Sequence, residues 1–361
     1  MRSHTSRSGG EARNDGNPEL PLSAEQEARA MRLHRDATIV DGTALDYTLE
    51  SPYTEALLKA GVTAAMVTVF IGVERGKGDH TTLALRGVDR AVRQAQRPDG
   101  NIQLVLDVED IVRARAAGKL GVILAFQNAT PLGDDASLVH SFWQMGVRCI
   151  QLTYNLRNLF ADGCIEKSPG GVSLAGREVL AAMQETGILV DLSHVADPSV
   201  DETIEIADEP VAFTHCNARA LCDNVRNKTD EQIRRLTAKG GVIGLNAFPA
   251  FVRDDGKRPW LADLLDHADH ISRLAGTRAL GLGLDFIEAW TDVEKKNLRA
   301  HPTAFGTQYE FPVGLEGVRE LPNLTRGLVA RGYDDAAIRG VLGENYVELF
   351  RRTWRPTRAS S

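Results

Sequence analysis

Residues 188–195 read ILVDLSHV and residues 210–216 read PVAFTHC. Each run is apolar until its last residues and then presents one histidine, His194 or His215. Near-continuous apolar runs, in place of strict alternation, mark parallel strands covered by helices. Six more runs share this character: ATIVDG (37–42), VTAAMVTV (62–69), LGVILAFQ (120–127), VRCIQLTY (147–154), GGVIGLNAF (240–248) and ALGLGLDF (279–286). Helical patterns lie between most of them, at 83–96, 138–146, 174–187, 198–207, 229–240 and 260–276. Ser23 and Gln26 form a capping-box pattern ahead of a further helix, and Thr229 is a good N-cap. Eight strands alternating with helices predict a closed (β/α)8 TIM barrel; the alternative is an open doubly wound sheet. No G-x-G-x-x-G opens a helix after the first strand, and GVERGKG lacks phosphate-loop spacing, which favours the barrel.

The chain is 361 residues long, with 43% apolar and 25% charged residues, which is ordinary for a globular protein. A net charge of −7 and the absence of a basic stripe exclude nucleic acid and anionic membrane as expected partners. Residues 1–22 are polar and lack an apolar signal core, so they read as a disordered tail on a cytoplasmic protein. Residues 23–353 read as the single barrel domain and 354–361 as a frayed end. The cysteines Cys149, Cys164, Cys216 and Cys222 form no CxxC pair and read as reduced thiols, although thiolate ligation next to His215 is conceivable.

In such barrels the site lies at the carboxyl ends of the strands. The polar residues there are Asp41, Thr43 and Asp46, then Gln127 and Asn128, then Tyr154, Asn155, Arg157 and Asn158, then His194, His215, Asn246 and Asp285. Two histidines on adjacent strands, about 5 Å apart, can meet one cation. A carboxylate closing the ring from the eighth strand is where a base near a metal-bound water belongs. His267 and His270 lie three apart on a predicted helix and read as a solvated face. Asp79-His80 reads as loop, and ADGCIEKSPGG (161–171) as either a lid over the pocket or an ordinary surface loop.

The blocks GVRCIQLTYNLRN, GREVLAAMQETGILVDLSHV, PVAFTHCNARAL, VRNKTDEQI, GGVIGLNAF and LGLGLDF resemble, in unbroken order over roughly residues 37–350, the membrane (renal) dipeptidase family. The resemblance implies a zinc peptidase with an amidohydrolase-type barrel, and commonly a dimer. It implies His194 and His215 as metal ligands, Asp285 as the proton-handling carboxylate and Arg226 as the group that binds the substrate carboxylate. Tyr154 stands where some members carry a substrate-contacting histidine. The chain departs from the family at its first metal position. Where the family reads Asp-Gly-His-x-Asp, this chain reads Asp41-Gly42-Thr43-Ala44-Leu45, with Asp46 one residue late, and Gln127 replaces the bridging glutamate. A neutral glutamine does not bridge two cations, so the expectation is one zinc ion or none.

The expected activity is hydrolysis of a C–N bond in a small dipeptide-like substrate, with Asp285 as base and Tyr154, Asn155 and Gln127 donating to the oxyanion. Arg226, Asn155, Asn128 and Asn246 would bind the substrate. The alternatives are a non-hydrolytic isomerase, lyase or decarboxylase of specialised metabolism, and a metal-free ligand-binding relative.

Overall fold

The computed structural model describes residues 21–72, 78–287 and 292–355. The predicted tail therefore lies outside the described residues, apart from its last two. Parallel strands β1 (Ile39–Leu45), β2 (Val62–Phe70), β3 (Ile102–Leu104), β4 (Leu120–Phe126), β5 (Val147–Gln151), β6 (Leu189–Asp191), β7 (Ile243–Leu245) and β8 (Leu280–Leu282) make one sheet. Its order is β6-β5-β4-β2-β1-β8-β7, with β3 pairing β4 off that path. The gap between β6 and β7 is filled by the sixth run of the sequence. Asp191 pairs with Ala212 and Phe213 with Ile243, both parallel. The ring thus closes on eight staves in chain order, a (β/α)8 barrel.

The sixth stave is pairing over two residues in place of the seven-residue strand expected from 210–216. It is held by Ala212 N–H to Val190 O (3.0 Å), Phe213 N–H to Val242 O (3.0 Å) and Gly244 N–H to Phe213 O (2.8 Å). Its chain then presses into the barrel axis. A Cβ on Gly42, Gly244 or Gly283 would lie 2.5, 2.0 or 1.9 Å from the Thr214 carbonyl oxygen, so only glycine lets those staves approach it. Tyr346, on the helix Asn345–Thr353 that plugs the opposite end, donates its hydroxyl to the same oxygen at 2.9 Å. Backbone approach on these sides replaces the usual branched side chains of a barrel core.

The helices follow their predicted signals. Ser23 caps Ala24–Asp36 in a capping box with Gln26, and Thr229 caps Asp230–Ala238 with Gln232. Leu174–Thr186 ends at Gly187 in the left-handed region. Three expectations are corrected. Asp79 is an N-cap and His80 the first residue of a helix, because the Asp79 carboxylate accepts from Thr81 N–H at 3.1 Å. His267 is buried, with Nε2 3.1 Å from Val252 O, because it shares a helical face with Leu264 and Ile271. Trp354 is not frayed: it is buried and stacks on Phe350 at 4.1 Å. No helix among the described residues is long and apolar enough to cross a membrane.

Candidate functional site

The expected convergence is present at the carboxyl ends of the strands. His194, three residues past the end of β6, and His215, just beyond the sixth stave, bring their Nε2 atoms to 3.0 Å. Each ring is braced from behind. His194 Nδ1 lies 2.6 Å from Asn155 Oδ1, and His215 Nδ1 lies 2.7 Å from Thr214 Oγ1. Tyr154 stacks on His194 with ring centroids 4.2 Å apart. Burial, reinforced by the charge of Arg226, holds both imidazoles neutral, well below the usual histidine range.

Arg226 is fully buried. Its Nη2 lies 2.9 Å from His194 Nε2 and its Nη1 donates to Ser193 O at 2.8 Å. Its guanidinium lies over the Phe251 ring at 4.8 Å, and its Nε has no hydrogen-bond partner among the described residues. The arginine thus belongs to the histidine cluster and is not a surface residue. Asp285 has a left-handed backbone (φ 56°) and accepts from Asn246 Nδ2 at 3.2 Å. Burial pushes its carboxyl above the usual range, against the charge of Arg226 and the Asn246 hydrogen bond. Asn246 also donates to His215 O at 3.2 Å, so it ties Asp285 to the histidine stave and has little donor capacity left for a ligand. Asn128 Oδ1 accepts from Thr130 N–H and Asn158 Nδ2, which holds a turn; its side chain borders a cavity shared with Tyr154, Asn155, His80 and His301.

At the first metal position of the family pattern, Gln127 Nε2 donates to Thr43 Oγ1 at 3.0 Å, both side chains being buried. An amide and a hydroxyl that satisfy each other leave no anionic donor for a second ion. Asp46 points away from this place, into an ion pair with Arg90 at 2.6 Å. Only the start of the segment 161–171 is buried against the histidine wall, where Cys164 N–H donates to His194 O at 2.9 Å and Gly163 pairs with Val195, while residues 167, 168, 170 and 171 are exposed.

Asp41, one of the strand-end polar residues, and Asp191, which the sequence did not single out, both anchor the site. Asp191 accepts from Ser193 Oγ (2.6 Å), Thr214 Oγ1 (2.8 Å) and the amides of Ser193 and Thr214 (3.0 Å each), so it knots the two histidine turns together. Asp41 Oδ1 accepts from Leu284 N–H at 3.0 Å and Thr43 N–H at 3.3 Å. Burial pushes the Asp41 carboxyl up to about 7, with the charge of Asp285 adding to the rise. The signal was available: both are carboxylates set within apolar strand runs.

Two zinc–nitrogen bonds of about 2.0–2.1 Å at a tetrahedral angle place their nitrogens about 3.3 Å apart. The Nε2 pair, 3.0 Å apart and neutral, fits one such ion. Among the described residues no three His, Cys, Asp or Glu side chains group as a metal site, and the two imidazoles are the side chains that could hold an ion there. The donor set does not fit a second ion.

The family described as membrane dipeptidase (peptidase family M19) matches residues 15–298. Dipeptidase tcpJ of Claviceps purpurea is 25% identical over 82% of this chain and 67% of its own length. The chain spans about half to two thirds of the length of several other curated relatives that it matches. Among solved structures, an amidohydrolase from Pseudomonas aeruginosa superposes with a TM-score of 0.82 at 30% identity, covering 90% of this chain and 99% of that one. The probable dipeptidase PvdM of the same organism gives 0.78 at 19% identity over 92% and 99%.

Proposed function

Because the chain belongs to the membrane dipeptidase family, peptidase family M19, we propose that it hydrolyses a C–N bond of a small, carboxylate-bearing, dipeptide-like substrate with at most one zinc ion, held by His194 and His215. The observation that carries this reading is the 3.0 Å approach of two neutral, buried Nε2 atoms beside a half-buried carboxylate and a buried guanidinium. A zinc ion there supplies positive charge that polarises a carbonyl and acidifies water. Asp285 takes the proton of the attacking water; its raised pKa makes it a better base than an exposed aspartate. Arg226 donates to His194 Nε2 when that nitrogen is bare, and turns its terminal N–H groups to the substrate carboxylate when it is not. Tyr154 walls the pocket over His194, and the Gln127 amide, one N–H of which is taken by Thr43, donates its other to the carbonyl oxygen.

A homodimer acting on a diffusible small molecule in the cytoplasm, with neither nucleic acid nor membrane as partner, completes the proposal, on the strength of the family resemblance and the acidic charge. The test is a panel of dipeptides and N-acyl amino acids, assayed with zinc-loaded and chelator-treated protein. Cleavage that needs the ion supports the proposal. Bound zinc without cleavage transfers the site to a non-hydrolytic isomerase, lyase or decarboxylase. Neither zinc nor cleavage leaves a ligand-binding relative.

A further inference from the structure

We propose that Asn155 is a two-sided positioning residue. Its carbonyl oxygen locks His194 in the tautomer that leaves Nε2 bare, and its amide nitrogen takes an acceptor oxygen of the bound ligand. The second half rests on the hydrolase reading above; the first half does not.

The tautomer follows from two independent contacts. Arg226 Nη2 lies 2.9 Å from His194 Nε2, and a guanidinium only donates, so this nitrogen must accept. The proton of the neutral ring is then on Nδ1, which faces Asn155 Oδ1 at 2.6 Å. The opposite amide orientation is excluded, since it would set an NH2 group against the Nδ1–H. With Oδ1 so committed, the Asn155 Nδ2 is buried and has no hydrogen-bond partner among the described residues. A buried donor left unpaired destabilises the fold, and the residue borders the cavity shared with Tyr154, Asn128, His80 and His301. A carbonyl or carboxylate oxygen entering that cavity satisfies the donor.

The chain is shaped around this one residue. Asn155 has a left-handed backbone (φ 57°), which asparagine tolerates better than most residues. Its carbonyl accepts from Ile165 N–H at 3.1 Å. Gly163 packs so closely that a Cβ there would lie 2.0 Å from the Asn155 carbonyl carbon. Cys164 adds a weak Sγ donor to Asn155 Oδ1 at 3.3 Å. A merely structural left-handed residue needs none of the side-chain contacts, and glycine serves that role as well. Glycine is therefore the substitution that separates the two.

The experiment uses the full chain labelled with ¹⁵N-histidine, free of metal, and reads the His194 tautomer from two-bond nitrogen–proton correlations. Zinc affinity and binding of alanylalanine are then measured by calorimetry. Wild type shows a single Nδ1–H tautomer for His194. In Asn155→Gly the Arg226 contact alone holds only part of the population in the Nδ1–H form, so the tautomer becomes mixed and zinc affinity falls about 10–100-fold. In Asn155→Asp, which retains the acceptor and loses the NH2, the tautomer stays fixed while alanylalanine binds about tenfold more weakly. Retention of the pure Nδ1–H tautomer and of zinc affinity in Asn155→Gly overturns the lock. Wild-type alanylalanine affinity in Asn155→Asp overturns the ligand contact. The tautomer and zinc readouts need no turnover, so they stand even when the hydrolase reading fails, and a wild type that binds no alanylalanine indicts that reading and leaves the lock intact.

Discussion

Asp285 combines two unusual features in one residue: a left-handed backbone and a carboxyl raised by burial. A base must be ionised to work. Activity therefore falls as pH drops through the raised pKa, at a higher pH than an ordinary aspartate near 3.9 would give. Asp285→Asn lowers kcat by about 10²–10⁴-fold with KM little changed, and removes that acidic limb from the residual rate. Arg226→Lys behaves differently, since a point charge replaces a planar fork. The expected result is a rise in KM of about 10–100-fold for substrates with a free carboxylate, and little change for their amides. Steady-state kinetics on matched acid and amide substrates checks both. At this scale the sequence was most legible where residue type and strand end coincide, as at His194, His215 and Asp285. It was blind to contacts such as Gln127 with Thr43, which join residues 84 apart in sequence. The resemblance marked both as departures, but only geometry shows that they satisfy each other.

Two elements carry the load of keeping the histidine turns in place. On β1, Asp41 receives the backbone of the eighth strand's extension through Leu284 N–H. Its carboxyl is raised to about 7 in the fold, against an ordinary 3.8 when unfolded. The folded state thus holds the proton more tightly. The stabilisation is complete below about pH 4 and is lost as pH rises to about 7, at up to about 1.4 kcal/mol per pH unit. Asp41→Asn, which keeps the acceptor oxygen, flattens this decline; urea midpoints measured from pH 4 to pH 8 report it. At the other end of the barrel, Tyr346→Phe strips one donor from the Thr214 carbonyl, which three glycines crowd. The expected cost is about 1–3 kcal/mol in urea unfolding, with a weaker grip on His215 one residue along. Element by element, the apolar runs were legible because burial on both faces writes itself as continuous hydrophobicity. The sixth stave shrank to two pairing residues because its chain bends into the axis, and hydropathy does not encode a bend. The short β3 pairs, among the described residues, with the first part of β4, and a three-residue pairing leaves little periodicity to read. His267 was misread because the acidic neighbours in DHADH mask a helical stripe of Leu264, Ala268 and Ile271.

As a whole, the molecule is a closed barrel whose mouth holds one imidazole pair where the family pattern has two metal positions. Thr43 and Gln127 replace an imidazole and a carboxylate with groups that bond each other, so the net charge available to balance cations is smaller. Binding to the folded state alone stabilises it by mass action, by about 2.7 kcal/mol at a hundredfold excess over Kd. Zinc therefore raises the unfolding midpoint of the wild type and leaves that of His215→Ala unmoved, which calorimetric scanning detects. The most direct measurement is a crystal structure of the zinc-soaked protein with anomalous maps above and below the zinc edge. A single peak in contact with Nε2 of His194 and of His215, with the Gln127–Thr43 hydrogen bond intact, is the expected result. Two peaks, one of them beside Thr43 and Gln127, or no peak between the histidines, would contradict it.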